Sequence, residues 1–277
     1  MRVALAQMCS GIDPATNAKV LRAHIGEAAA QGADILFTPE MTGLVDRDRS
    51  RAAASIYIEQ EDPVLKEACV SAKNEQIWVA LGSLAIKQSD SDAGKWLNRS
   101  FLIDPSGTIV ARYDKIHLFD VDLDTGESWR ESAAYEGGAE AVVAPVKAAM
   151  LGLSVCYDLR FPALYGALTN AGADILSVPA AFTVPTGEAH WEILLRARAI
   201  EAGVFVVAAA QSGLHDDGRT TYGHSMVIDP WGHVLLDMGA DTGVATCDID
   251  LDDIAKVRSR IPAITNRRTF ASPKGAL

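Results

Sequence analysis

Three side chains of complementary chemistry stand where apolar runs end. Glu40 closes "GADILFTPE" (32–40), Cys156 closes "AMLGLSVC" (149–156), and Lys115 stands in "ARYDKIHLFD" (111–120), just after a strand-like stretch. Each has an ordinary reading by itself. A cysteine ending an apolar run is a small buried hydrophobe, a glutamate after proline caps the next helix, and a lysine after a hairpin is a solvated edge charge. Together they solve one chemical problem. A thiol is a poor nucleophile until it loses its proton. A carboxylate can take that proton, and an ammonium can stabilise both the thiolate and the oxyanion formed when sulfur attacks a carbonyl.

The elements that must position this trio alternate along the chain. Residues 2–8, 33–40 and 77–86 read as strands, and 15–32 and 62–76 as helices. In the first helix Val20, Ala23 and Ala28 mark the apolar face and Gly32 supplies a C-cap. Residues 98–115 read as a hairpin turning at Asp104–Gly107, 161–180 and 187–211 each as a helix followed by a strand, and 223–239 as a second hairpin. The acidic stretch 120–132 reads as an excursion over the surface or over a site. Such alternation predicts α/β layering. Two ordered echoes sharpen this: "GADILFTPE" with "GADILSVPA" (172–180), and "SFLIDPSGTIV" (100–110) with "SMVIDPWGHVL" (225–235). They predict two related halves, each a helix-backed sheet, packed face to face in one domain spanning 1–277. In open α/β sheets functional groups gather beyond the carboxyl ends of the strands, where the trio falls.

Composition narrows the partners. The chain has 277 residues, a net charge of −11 and a pI near 5.0, which argue against nucleic acid or an anionic membrane as the main partner. No apolar run of 18 residues predicts a membrane span. The N-terminus lacks the hydrophobic region and cleavage site of a signal peptide. The four cysteines, 9, 69, 156 and 247, show no CxxC spacing, which fits a reducing, cytoplasmic setting.

The chain resembles the nitrilase superfamily of carbon–nitrogen hydrolases, in its amidase branch. The carriers are "FTPEMT" around Glu40, "YDKIHLFD" around Lys115, "CYDLRFP" from Cys156, "HWEILLRARAIE" (190–201) and "YGHSMVIDPWG" (222–232). The resemblance implies a four-layer αββα sandwich and a Glu40–Lys115–Cys156 triad. It implies a second glutamate at Glu131, with Glu127 and Glu136 as alternatives, and no metal or organic cofactor. It also implies acyl transfer through a thioester on Cys156. Glu40 is the general base, Lys115 and the Tyr157 N–H hold the oxyanion, and ammonia departs before water releases the acid. Within the branch, 208–232 is most similar to the deaminated-glutathione amidases. The ω-amidases of 2-oxoglutaramate and 2-oxosuccinamate and the N-carbamoyl hydrolases remain alternatives. The expected partners are a small, carboxylate-bearing amide and further copies of the chain, with helix 161–172 near a homodimer or larger interface.

Arg160 lies four residues after Cys156 and, on a helical turn, shares its face. It is expected to hold a substrate carboxylate unless Asp158 takes it as an ion-pair partner. Phe182 and Thr183 are expected to supply an apolar wall and a hydroxyl. Two competing readings stay open. A Cys–His hydrolase would use His117, His190 or His224 as base, although His190 reads as the start of a helix. A redox sensor or scaffold built on Cys156 would bring Cys9 or Cys247 close to it.

Overall fold

The structure, a computed structural model, describes residues 1–89, 94–122, 126, 128–271 and 275. Two six-strand paths form its centre. The first runs Gly243–Asp248, Arg2–Gln7, Ile35–Phe37, Trp78–Lys87, Trp96–Ile103, Ile109–Asp114. The second runs Val143–Val146, Ala149–Leu153, Ile175–Ser177, Phe205–Ala208, Met226–Ile228, Val234–Asp237. The three central strands of each are joined in parallel, and the flanking pairs are antiparallel.

Side-chain alternation builds the layers. In Arg2–Gln7, Val3 and Leu5 enter the core shared with the second sheet, while Ala4 and Ala6 enter the core beneath the helices. Helices Pro14–Ala30 and Pro63–Glu75 close that outer core with Leu21, Ile25, Val64 and Ala68. Helices Pro162–Asn170 and Val184–Ala202 cover the second sheet with Leu164, Leu168, Trp191 and Leu195. Full burial of each such Leu or Ile contributes about 1.5–3 kcal/mol. The result is the expected αββα sandwich in one domain. The face expected of the first helix needs correction: Val20 and Ala23 are exposed, and the buried stripe is Ala18, Leu21, Ile25 and Ala28. The 3.6-residue period runs through 18, 21, 25 and 28 and leaves 20 and 23 on the outer side.

The echoes are equivalent structures. Gly32 (φ 74°) and Gly172 (φ 93°) each follow a helix and donate to Ala29 O and Thr169 O, while Ala33 and Ala173 reach back to Ala28 O and Leu168 O. This paired termination needs a left-handed residue, which glycine adopts without strain. Asp34 then exchanges bonds with the Arg2 backbone as Asp174 does with that of Met150. The hairpin turns match too: Asp104 accepts from Ser106 N and Thr108 N, and Asp229 from Trp231 N and His233 N. The halves also exchange strands. Val143–Val146, the last strand before the second half, pairs in the second sheet, and Gly243–Asp248, the last of all, pairs in the first.

Candidate active site

Glu40 leaves the strand Ile35–Phe37 through Pro39 and is buried. Its Oε1 accepts from Lys115 Nζ at 2.8 Å and Asn98 Nδ2 at 2.9 Å, and its Oε2 from Ala181 N at 3.1 Å. The second half holds its backbone as well, because Gln211 Nε2 donates to Glu40 O at 3.0 Å. Lys115 follows the strand Ile109–Asp114 and is only 2% exposed. It also meets Glu131 Oε2 at 2.8 Å, and Glu131 is fixed by Phe119 N at 2.6 Å and Asn98 Nδ2 at 3.1 Å. Burial pulls the Lys115 ammonium down, yet Glu131 and Glu40 outweigh it and hold it well above its ordinary value. Burial likewise pushes the Glu40 carboxyl up, and Lys115 with the surrounding donors brings it below the ordinary range. At neutral pH the pair is a permanent cation beside a permanent anion.

Cys156 sits at a sharp turn. Its N–H donates to Pro179 O at 2.8 Å and its φ is 50°, a left-handed conformation that a side chain rarely adopts. The chain turns there from the strand Ala149–Leu153 into the 3₁₀ turn Cys156–Arg160. The Tyr157 N–H lies in the first turn of that element, where amides have no intrahelical acceptor. Burial, then the Glu40 charge, push the Cys156 thiol well above its ordinary value against the pull of Lys115. At neutral pH the sulfur is therefore held as a thiol beside an ionised carboxylate.

Asp158 ties the stretch around Lys115 to the turn that begins at Cys156. This buried carboxylate accepts from Val155 N at 2.9 Å beside the cysteine. It also accepts from Tyr113 OH at 2.6 Å and His117 N at 3.0 Å, and pairs with His117 Nδ1 at 2.7 Å. Tyr113 and His117 flank Lys115 by two residues on either side. Asp158 is therefore not the partner of Arg160. The Arg160 guanidinium instead lies 5.6 Å from the Phe182 ring centroid and 5.9 Å from that of Tyr157, and its nitrogens are 3.3 and 3.4 Å from His190 Nδ1. The turn is 3₁₀ rather than α-helical, so shared phase does not bring Arg160 to the sulfur. Arg160 and Cys156 nevertheless line one cleft of about 590 Å³.

Glu40, Lys115, Glu131, Tyr157, Phe182 and Thr183 line the same cleft, together with Trp129 and Arg130 of the 120–132 excursion. Phe182 packs on Trp191, with ring centroids 4.8 Å apart, and Thr183 Oγ1 meets Thr186 Oγ1 at 2.8 Å. Of the alternative glutamates, Glu136 is exposed and accepts from Gln88, while Glu127 lies outside the described residues. The histidines are held elsewhere: His117 by Asp158, His190 beside Arg160, and His224 by Asp237. His190 lies inside the helix Val184–Ala202 rather than at its start, because Pro185 in the first turn begins the helix earlier. Cys9 contacts Leu214 O and Cys247 lies on the strand Gly243–Asp248, and neither lines the cleft. Sequence reasoning missed Asn98, Asp158 and the Ala181 N–H. A polar residue inside the apolar stretch "WLNRSFLI" was the available signal for Asn98.

The architecture and the side chains in the cleft define a hydrolase class, and comparisons with known proteins agree. The carbon–nitrogen hydrolase family model matches residues 2–259. A deaminated glutathione amidase of Dictyostelium discoideum is 40% identical over 273 residues, covering 96% of this chain and 94% of that protein. The crystal structure of the C. elegans NitFhit protein superposes with a TM-score of 0.88 at 35% identity over 96% of this chain, which spans 65% of that longer one. A glutamate-to-glutamine mutant of the amidase from Nesterenkonia sp. AN1, carrying the acetamide moiety of fluoroacetamide covalently at its active-site cysteine, has a TM-score of 0.81 at 27% identity, over 97% of this chain and 94% of that one. The chain belongs to the carbon–nitrogen hydrolase family. It is an enzyme that hydrolyses carbon–nitrogen bonds other than peptide bonds. No helix among the described residues is long and apolar enough to cross a membrane.

Proposed function

We propose that the protein is an amidase acting through a Cys156 thioester on a small, carboxylate-bearing 2-oxo-acid amide of the deaminated-glutathione kind. The observation carrying this reading is the buried Glu40–Lys115–Glu131 cluster lining one cleft with Cys156. Glu40 takes the thiol proton as sulfur attacks the amide carbon. Lys115 and the Tyr157 N–H hold the oxyanion, and the proton passes from Glu40 to the departing ammonia or amine. Water deprotonated by Glu40 then cleaves the thioester. Lys115 cannot serve as base, since its two carboxylate neighbours keep it charged. Glu131 orients Lys115 and balances its charge.

Arg160 binds a substrate carboxylate through its planar fork, with the adjoining Phe182 ring as an apolar wall and Thr183 as a hydroxyl. Because Arg160 is the one cation in the cleft contributed by the Cys156 turn, an ω-amidase acting on 2-oxoglutaramate or 2-oxosuccinamate is the second reading. We read 1–277 as one cytoplasmic domain of metabolite repair that assembles as a homodimer or larger. The helix Pro162–Asn170 lies near the interface, and sedimentation of a fully active monomer would contradict that assembly. The test of function is a panel of 2-oxo amides, deaminated glutathione, N-carbamoyl amino acids and neutral amides, read by mass for the acid product. Turnover of the 2-oxo amides that disappears in Cys156→Ala supports the reading. Failure of every amide, or turnover that survives Cys156→Ala, rejects it.

A further inference from the structure

Glu40 and Glu131 share two donors. Lys115 Nζ lies 2.8 Å from Glu40 Oε1 and 3.1 Å from Glu131 Oε1, and Asn98 Nδ2 lies 2.9 and 3.1 Å from the same two oxygens. Each of these oxygens therefore accepts from one ammonium and one neutral amide. Asn98 stands on the strand Trp96–Ile103, opposite Ala85, and its own carbonyl accepts from Lys115 N at 2.9 Å. One residue thus touches all three charged members of the cluster. It is 1% exposed, and its Oδ1 has no partner among the described residues. A buried amide with an unmet acceptor destabilises a fold, so packing does not account for its place. Nor can the amide be turned over, because Oδ1 would then face two carboxylate oxygens, an acceptor against two acceptors.

We propose that Asn98 is a positioning residue that closes Glu40 Oε1 to protons and so leaves Oε2 as the atom that takes the Cys156 proton. This rests on the amidase reading above. Both in-plane lone pairs of Oε1 are engaged, one by Lys115 and one by Asn98. Among the described residues Oε2 accepts only from Ala181 N, at 3.1 Å, and keeps a free pair. The Ala181 N–H also reaches the Cys156 sulfur, so Oε2 and the sulfur share one donor and lie on the same side of the carboxyl group. The neutrality of the amide matters. A second cation in its place would make Glu40 too weak a base for a thiol, whereas Asn98 fixes both carboxylates and adds no charge. The titratable groups facing Glu40 are Lys115, Glu131, Cys156 and Tyr135. Burial pushes the Glu40 carboxyl up, and Lys115, Cys156 and Asn98 bring it down. Without Asn98 the ionised form loses a donor, and Glu40 titrates higher with Lys115 still in place.

The test uses Asn98→Leu, which keeps the volume without the donor, and Asn98→Ala, which carries the test should the leucine variant not fold. With 2-oxoglutaramate, kcat is expected to fall roughly 10- to 100-fold while KM changes by less than about threefold, since the base is misplaced and no substrate contact is lost. The basicity that Glu40 gains recovers only part of this, because the proton is only partly transferred in the transition state. The acid limb of kcat/KM is expected at higher pH than in the wild type. Alkylation by 2-chloroacetamide reads the same proton transfer without turnover: the sulfur displaces chloride to form a thioether, and the thiol proton passes to Glu40. Its rate at the peptide containing Cys156, followed by mass, should fall about tenfold or more, with the same displaced acid limb. Unchanged rates, a loss with the limb in place, or a rise in KM matching the fall in kcat overturn the proposal. Should the wild type hydrolyse no 2-oxo amide, that counts against the amidase reading, and alkylation alone decides the role of Asn98.

Discussion

Asp34 and Asp174 do the same work, each latching the first strand of its half, yet six residues further on one finds Glu40 and the other Ala180. The same counting sets Met8 against Cys156, six residues beyond Arg2 and Met150. It also sets Ala240 against Lys115, eleven beyond the turn aspartates Asp229 and Asp104. Met8 stays extended, bridged to Gln211, whereas Cys156 breaks from its strand at φ 50°. A duplicated frame thus carries chemistry at one position of each pair. Two of the three groups come from the first half and one from the second, so the cluster exists only where the halves meet. The exchanged strands Val143–Val146 and Gly243–Asp248 hold them in register.

Exchanging the roles of paired positions should break this contrast most sharply. Cys156→Ala is expected to reduce amide turnover to background with little loss of stability. Met8→Ala, at the matching position, should cost about 2–5 kcal/mol by cavity formation while each folded molecule keeps its turnover. Thermal unfolding and kcat measured on both variants check the pair, and comparable activity losses would dissolve the distinction.

Lys115→Ala removes an oxyanion donor, which costs roughly 10²–10³ in kcat, and it also moves a pH limb. In the wild type Glu40 titrates below the ordinary carboxylate value of about 4.3. Its base form, and the stability it contributes above that ordinary value, are lost only as pH falls through the lower folded value. Without the ammonium, only the remaining donors oppose burial and Glu40 moves up, so the acid limb of kcat/KM should shift to higher pH. A limb that stays in place would mean that another group sets it.

How much of this was legible in the sequence depends on range. Glu40, Lys115 and Cys156 stand at strand ends, and the echoes declare the duplicated frame, so the sandwich and the meeting of these three side chains at one cleft could be read before any coordinates. Asp158 could not. It adjoins Arg160, which suggested a local ion pair, but its donors Tyr113 and His117 lie 45 and 41 residues earlier. Asn98 reaches Glu40 across 58 residues and reads from sequence as an ordinary polar position of a strand. Val20 and Ala23 were misread because "AKVLRAHIGEAAA" offers apolar residues at several helical phases.

Asp158 gives a prediction of intermediate size. Asp158→Asn keeps the shape but swaps an acceptor for a donor facing Tyr113, His117 or Val155. We expect kcat to fall about 10- to 100-fold with KM changed by less than threefold, since loop placement rather than substrate contact is disturbed. A proportional rise in KM would place the residue in binding instead. The smallest effect is Arg160→Lys, which keeps charge but loses the fork. At about 1.5–3 kcal/mol for a charge-assisted bond, kcat/KM should fall tenfold or more further for carboxylate-bearing amides than for a neutral one. Equal losses would make Arg160 structural.

The central claim is that the thiol of one half, deprotonated by the carboxylate of the other, carries the acyl group. Rapid acid quench of the wild-type enzyme during turnover of 2-oxoglutaramate, followed by peptide mass analysis, tests it directly. The account predicts the acyl mass on the peptide containing Cys156, its disappearance on hydroxylamine treatment with release of the hydroxamate, and a much slower appearance in Glu40→Gln. An unmodified Cys156 throughout turnover, or an acyl group that forms as fast without the Glu40 carboxylate, would contradict it.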